Sequence, residues 1–340
     1  SMRRKSFLTS QPDTPDILPA FPADLPRNRL GLAKWLLLQD HPLTTRVTVN
    51  RFWQEVFGTG LVRTPGDFGT TGELPSHPEL LDWLAVEFRE SGWDVKKLFR
   101  LMLTSAAYRQ SATATPEKLQ KDAANRLLSR GPRFRLDAEM VRDQALAASG
   151  LLVRKLGGPS VKPYQPDGVW EAVSMGGNTS RYLRDTGETL YRRSIYWFWK
   201  RSAPPASLDI FNAPSRETCT VKRERTNTPL QALVALNDPQ FVEAARVLAD
   251  AALESGGDSD DARIDFMAER VLARPLDPDE MAIVKKSLAE LSGWYQSHPD
   301  DAARLVAVGE SRPRAADPVR LAGWTMLANE LLNLDEALCK

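Results

Sequence analysis

The feature that most narrows what this chain can fold into is a succession of apolar residues at helical spacing, each series bracketed by Pro, Gly or a capping side chain. Leu30, Leu32, Ala33, Leu36 and Leu37 follow a candidate N-cap at Asn28, and Val47, Phe52, Val56 and Phe57 recur before Gly58. Pro78 sits where a first helical turn begins, ahead of Leu80, Leu81, Leu84, Ala85 and Phe88. Asp94 caps a further series of Val95, Leu98, Leu101, Met102 and Ala106, and Asp137 opens one through Val141, Ala145 and Ala148 that Gly150 closes. Later helices are predicted over 229–254, 262–273, 277–295 and 317–338. Helices with one apolar face must bury it against one another, so the expected fold is a mainly α, multi-helix domain.

Three stretches depart from that pattern. Residues 10–27 carry Pro12, Pro15, Pro19, Pro22 and Pro26, which prevents a helix and predicts an extended arm or a strap laid over the surface. Residues 58–78 hold too many Gly, Thr and Pro for a regular element and read as a long ordered loop. From 151 to 214 the chain contains Gly157-Gly158-Pro159, Gly176-Gly177 and Pro204-Pro205. Within it the β-branched and aromatic run Ile195-Tyr196-Trp197-Phe198-Trp199 suits a strand, so a small irregular β element is expected around 180–200. The resulting organisation is an arm over 1–27 and a single helical domain over 28–340. Its parts are an N-terminal helical part (28–150), an aromatic and basic insertion (151–227) and a C-terminal helical part (228–340).

With 340 residues and 42% hydrophobic content, the chain can bury a large core, which excludes disorder for most of its length. No run approaches the roughly 18 apolar residues of a membrane-spanning helix, so no membrane span is expected. A balance of 45 Lys+Arg against 44 Asp+Glu gives nucleic-acid binding no electrostatic support. Cys219 and Cys339 lie too far apart for a disulfide framework or a C-x-x-C metal site, and no C-x-x-C-H is present, so no cofactor is expected in this chain. The N-terminus lacks an apolar leader, and Ser1-Met2 reads as a cloning remnant, so a fragment of a longer protein is expected.

Charge cancels overall but not locally. Residues 130–225 hold 17 Lys+Arg against 10 Asp+Glu. Arg193, Arg216, Arg223 and Arg225, with Glu217 and Asn227, would bind an anionic ligand if they converge, or would pair with acids of the helical body. Cys219 among them is either an activated thiol or a buried apolar residue. Asp67 and His77 flank the Gly-rich loop and are the candidates for proton transfer; the competing reading has His77 cap the next helix through Nδ1 or bond a loop carbonyl. A metal-dependent hydrolase built on Asp67, His77 and Glu217 is a further alternative, although the chain lacks G-x-S-x-G, P-loop, H-E-x-x-H and G-x-G-x-x-G motifs. Tyr164, Trp170, Tyr182, Tyr191 and Tyr196–Trp199 either form a stacking platform or anchor the β element.

Several ordered motifs carry a family resemblance. They are Asn50-Arg51-Phe52-Trp53, Thr64-Pro65-Gly66-Asp67-Phe68-Gly69, Pro75-Ser76-His77-Pro78-Glu79, Tyr108-Arg109-Gln110-Ser111 and Arg193-Ser194-Ile195-Tyr196. With them come Arg223-Glu224-Arg225-Thr226-Asn227-Thr228-Pro229-Leu230-Gln231 and Leu331-Leu332-Asn333-Leu334-Asp335-Glu336. From about 28 to 338 the chain resembles the DUF1553 family, planctomycete-specific domain 1. That resemblance implies the C-terminal domain of an exported, extracytoplasmic protein with upstream DUF1549 and cytochrome-c-like domains, haem c being held upstream. It implies a role in polysaccharide utilisation, with an anionic or glycan-like substrate, and it supplies no catalytic residues. A non-catalytic helical scaffold docking the DUF1549 domain is the competing expectation.

Overall fold

A computed structural model describes Thr14, residues 16–173 and residues 181–340. Pro12, Pro15 and Gly176-Gly177 of the sequence reading lie outside the described residues. The chain divides into two compact units, Ser1–Arg133 and Phe134–Lys340, a boundary inside what the sequence presents as its N-terminal helical part.

In the first unit, α1 (Arg29–Leu36) begins at Asn28, whose side chain accepts from the Leu30 and Gly31 N–H groups at 3.0 and 3.1 Å. The apolar series seen in sequence does not face inward here. Gly31 and Trp35 are buried, whereas Leu30 is 59% exposed and Leu32, Leu36 and Leu37 are also exposed. The cause is the strap. Trp35 Nε1 donates to Pro19 O at 2.9 Å, Phe21 stacks on Trp35, and a Cβ at Gly31 would lie 1.9 Å from Pro26 O. Only glycine lets that backbone approach so closely.

Then come α2 (Thr44–Phe57), α3 (Pro78–Glu90), α4 (Val95–Thr104), α5 (Ala106–Arg109) and α6 (Pro116–Lys121). Val49, Trp53, Val56 and Phe57 of α2 pack with Leu81, Leu84 and Phe88 of α3 and Leu98 and Met102 of α4 into one core. Loop residues Leu61 and Val62 complete it.

The second unit is built around α11 (Pro239–Ser255). Before it come α7 (Ala138–Ser149), α8 (Val169–Ala172), α9 (Ala206–Ile210) and α10 (Pro229–Asn237). After it come α12 (Asp260–Leu272), α13 (Pro278–Ser297), α14 (Pro299–Val306), α15 (Pro318–Leu332) and α16 (Asp335–Leu338). Ala244, Ala245, Ala249 and Ala252 of α11 are fully buried, and their small size lets α7, α12 and α15 close around it. Leu248, Ile264, Met267 and Leu321 fill the space between, each worth about 1.5–3 kcal/mol of burial.

The helix predicted over 229–254 is two helices, because Pro239 cannot donate into a continuing turn and holds Asp238 in extended backbone, where it caps α11. Likewise Leu334 is extended and ends α15 before α16. The run Ile195–Trp199 is not a strand: Ser194–Tyr196 is a 3₁₀ turn. The irregular β character of this region consists of isolated bridges, Val153 with Arg192, Val161 with Trp197 and Lys200 with Ala203. Of the aromatics there, Trp170 and Trp197 are buried anchors, Trp170 packing edge-on to Tyr182, whereas Tyr196, Phe198 and Trp199 are half-buried.

A surface ion cluster ties α13 to α16. Arg274 donates to Glu280 at 2.7 and 2.8 Å and to Glu336 at 2.9 and 2.6 Å. The hydrogen bonds from Arg274 pull the Glu280 carboxyl down to about 2. A carboxylate with a lowered folded pKa contributes stability above its unfolded pKa and loses it as pH falls toward 2. Both side chains are more than a third exposed, so the contribution is below about 1 kcal/mol. Urea midpoints measured from pH 5 to pH 2 are expected to fall less steeply for Glu280→Gln than for the wild type.

Candidate functional site

The Gly-rich loop is held by its own polar groups. Asn50, fully buried on α2, donates from Nδ2 to Val62 O at 3.0 Å and accepts from Val62 N at 2.8 Å. Thr64 Oγ1 donates to Asp67 O, and Glu73 N donates to Thr64 Oγ1. The Asp67 carboxylate accepts from Thr71 Oγ1 and from Gly69 N, and these bonds, the hydroxyl's first, lower its pKa. A carboxylate so stabilised is a poor proton acceptor near neutral pH. His77 occupies the N-cap of α3 without capping it through its side chain; its Nδ1 instead lies 3.0 Å from Ser76 Oγ.

The basic segment lies in the second unit, and most of its guanidinium groups are engaged. Arg223 forms a bidentate pair with Glu139 at 2.5 and 3.3 Å and lies 3.8 Å from Asp137. Arg225 lies 3.7 Å from Asp137 and over the Phe134 ring. Arg193 reaches Asp143 at 3.6 Å. These acids belong to the start of α7, so the region's positive excess is partly neutralised there. Within the same motif, Thr226 Oγ1 accepts from Asn212 and Gln231, and Gln231 also donates to Ile210 O. Thr228 caps α10, and Asn227 is exposed beside it. The motif is therefore a clasp joining α7, α9 and α10.

Arg216 differs. It is exposed, has a left-handed φ of 63°, lies over the Trp199 ring at 4.3 Å and makes no ion pair among the described residues. Trp199 is fixed by donating to Ser215 O at 3.0 Å. Glu217, Cys219 and Lys222 on the same loop are exposed, which removes the buried reading of Cys219.

Sequence reasoning missed a buried polar network on α11. Glu243, fully buried, accepts from Tyr191 and Tyr164 hydroxyls at 2.8 Å each, from the Glu310 and Ser311 N–H groups and from Ser311 Oγ. Burial first, then the Glu243 carboxylate, raises the pKa of both tyrosines. Arg246 binds Asp250 at 3.3 Å and Ser311 O at 2.6 Å, and Asp250 accepts from Arg314 and Ala315 N–H groups. Gly309 is obligatory, since its φ is 94° and a Cβ there would lie 2.4 Å from Glu243 Cδ. A second buried cation, Arg142 on α7, donates to Leu190 O, Arg192 O, Ser194 Oγ and Gln240 Oε1. The available signal was the spacing Gln240, Glu243, Arg246, Asp250, which puts polar groups on a helix face otherwise rich in buried Ala and Leu.

Asp67 and His77 thus lie in the first unit, and Arg193, Arg216, Glu217, Arg223, Arg225 and Asn227 in the second. Among the described residues no three His, Cys, Asp or Glu side chains group as a metal site requires, and no helix is long and apolar enough to cross a membrane. Comparison with curated proteins and with solved structures gives no match. The model of the PSD1 family, described as a protein of unknown function (DUF1553), matches residues 28–288, from Asn28 through the Thr226–Gln231 clasp to Leu288 of α13. On that match, and with a mainly helical fold whose motif residues fasten one element to the next, the chain belongs to the PSD1 (DUF1553) family.

Proposed function

We propose that this chain is a non-catalytic binding module for an anionic glycan, sulfated or built of uronic acids, within an exported protein that carries DUF1549 and cytochrome-c-like domains upstream. The observation behind this reading is the exposed loop on which Arg216 and Lys222 have no acidic partner among the described residues, with Arg216 spread over Trp199. A guanidinium stacked on an indole is held in position while its edge remains free to meet carboxylate or sulfate oxygens. Arg193, Arg223, Arg225 and Asn227 support the loop in this reading, and Glu217 flanks it. Asp67 and His77 maintain the Gly-rich loop and its junction with α3, and no acid–base step is assigned to them. The glycan class comes from the setting in which the family occurs.

The exposed leucines of α1 favour a second role, docking of the DUF1549 domain. Leu30, Leu32, Leu36 and Leu37 leave an apolar surface of the kind that marks interaction sites.

Calorimetric titration with dextran sulfate and polygalacturonate tests the binding reading. The wild type is expected to bind both, more weakly as salt rises, and neutral dextran not at all. The double variant Arg216→Glu, Lys222→Glu is expected to bind at least tenfold more weakly, while Asp67→Asn and His77→Ala bind as the wild type does. Absence of binding to either polyanion, alone or with the upstream domains attached, removes the proposal.

A further inference from the structure

An open cleft of about 460 Å³ lies between α12, α13 and α15, away from the basic loop in sequence and built from the most regular part of the second unit. One face of α13 lines it, with Lys285, Leu288, Ser292 and Gln296 at helical spacing, and the start of α15 supplies Arg320 and Trp324. We propose that this cleft binds a small polyhydroxylated carboxylate, the chemistry of a sugar acid.

The charges in the cleft are not equivalent. Asp317 is spent on the α15 N-cap, accepting from Val319 N and Arg320 N at 2.9 and 3.2 Å. Asp260 pairs with Arg263 at 3.1 Å, and Lys285 with Asp261 at 2.7 Å. Arg320 is exposed and makes no ion pair among the described residues, so it is the cation left to meet an incoming anion. It stands in the first turn of a 15-residue helix, whose dipole adds to its attraction for negative charge.

The rest of the lining fits a hydroxylated ring. The Ser292 hydroxyl and Gln296 amide form no side-chain hydrogen bond among the described residues, and both line the same cleft as Arg320. Leu288 and Trp324 are buried and provide an apolar floor for the C–H face of a sugar. The volume lies in the range of small-molecule sites, roughly 300–1,000 Å³, and its mixed lining suits a polar ligand rather than an oily one.

Titration calorimetry with glucuronate, glucose and acetate reads the carboxylate and the hydroxyls separately. Glucuronate is expected to bind at least tenfold more tightly than either glucose or acetate. Arg320→Ala is expected to lose at least tenfold, the scale of one charge-assisted hydrogen bond, and Gln296→Ala several-fold, both with wild-type thermal unfolding because both residues are exposed. Arg304→Ala, which removes an exposed cation of α14 that lies outside the cleft and pairs with Asp301, is expected to leave glucuronate binding unchanged. The proposal is overturned if glucuronate does not bind, if glucose or acetate matches it, if Arg320→Ala binds it normally, or if Arg304→Ala weakens it as much as Arg320→Ala does.

Discussion

Glu243→Ala is expected to destabilise the Phe134–Lys340 unit by about 3–5 kcal/mol, a large part of the 5–15 kcal/mol that typically holds a domain. The carboxylate is the single acceptor for two tyrosine hydroxyls, two backbone N–H groups and the Ser311 hydroxyl, and it lies 3.9 Å from the buried Arg246 guanidinium. Removing it orphans five donors and leaves Arg246 with Asp250 as its remaining acid partner. Glu243→Gln separates charge from hydrogen bonding. Its carbonyl can keep the place of Oε1, which receives four of the donors, and its amide can donate to the Tyr164 oxygen in place of Oε2. A loss of about 1–3 kcal/mol is expected for Gln, below that of Ala. Urea unfolding followed by far-ultraviolet circular dichroism measures both; a loss under 1 kcal/mol for Ala contradicts the network's role.

Arg142→Ala is expected to cost a similar amount, about 3–5 kcal/mol, through a different set of contacts. Its guanidinium joins α7 to the irregular segment through Leu190 O at 2.6 Å and Arg192 O at 2.9 Å, to α11 through Gln240 Oε1 at 2.7 Å, and it lies over the Trp197 ring. Burial pushes its pKa down to about 10, so it remains a cation throughout the neutral range. Arg142→Lys should recover little, because an ammonium group cannot reproduce the planar fork that reaches four acceptors, three on the 190–194 segment and one on α11. The loss is expected to appear first as faster hydrogen exchange at the Val153–Arg192 and Val161–Trp197 bridges, since the described residues of the 151–200 segment pair only through isolated bridges. Equal protection in wild type and Arg142→Lys would contradict this assignment.

Helices were legible in the sequence because their apolar period and their caps agree. Asp94 caps α4 through Lys97 N as its position suggests, and Thr228-Pro229 starts α10. Two things hid the rest. Strand-forming composition at Ile195–Trp199 was overridden by tertiary anchoring, since Trp197 is buried beneath Arg142 and Tyr196 accepts a hydrogen bond from Gly157 N. Partners remote in sequence were hidden as well: Arg223 meets Glu139 and Tyr164 meets Glu243 across long separations that no local pattern encodes. The basic cluster was visible as composition, but whether it is free or neutralised depends on where α7 places Asp137, Glu139 and Asp143. Proline density made an extended arm the expectation for 10–27, but no local pattern told that Phe21 and Pro26 would lie against Trp35 and Gly31 while the α1 leucines stay outward.

A double-mutant cycle on Thr226 and Gln231, which stand 3.1 Å apart in the longest family motif, is the most direct probe of whether such motifs fasten the fold or serve the ligand. Stability and polyanion binding are to be measured on Thr226→Ala, Gln231→Ala and the pair. The expected result is a loss of stability in each single variant, a coupling of about 0.5–3 kcal/mol between them, and unchanged polyanion affinity in whatever fraction remains folded. Wild-type stability in all three variants together with lost binding would contradict it.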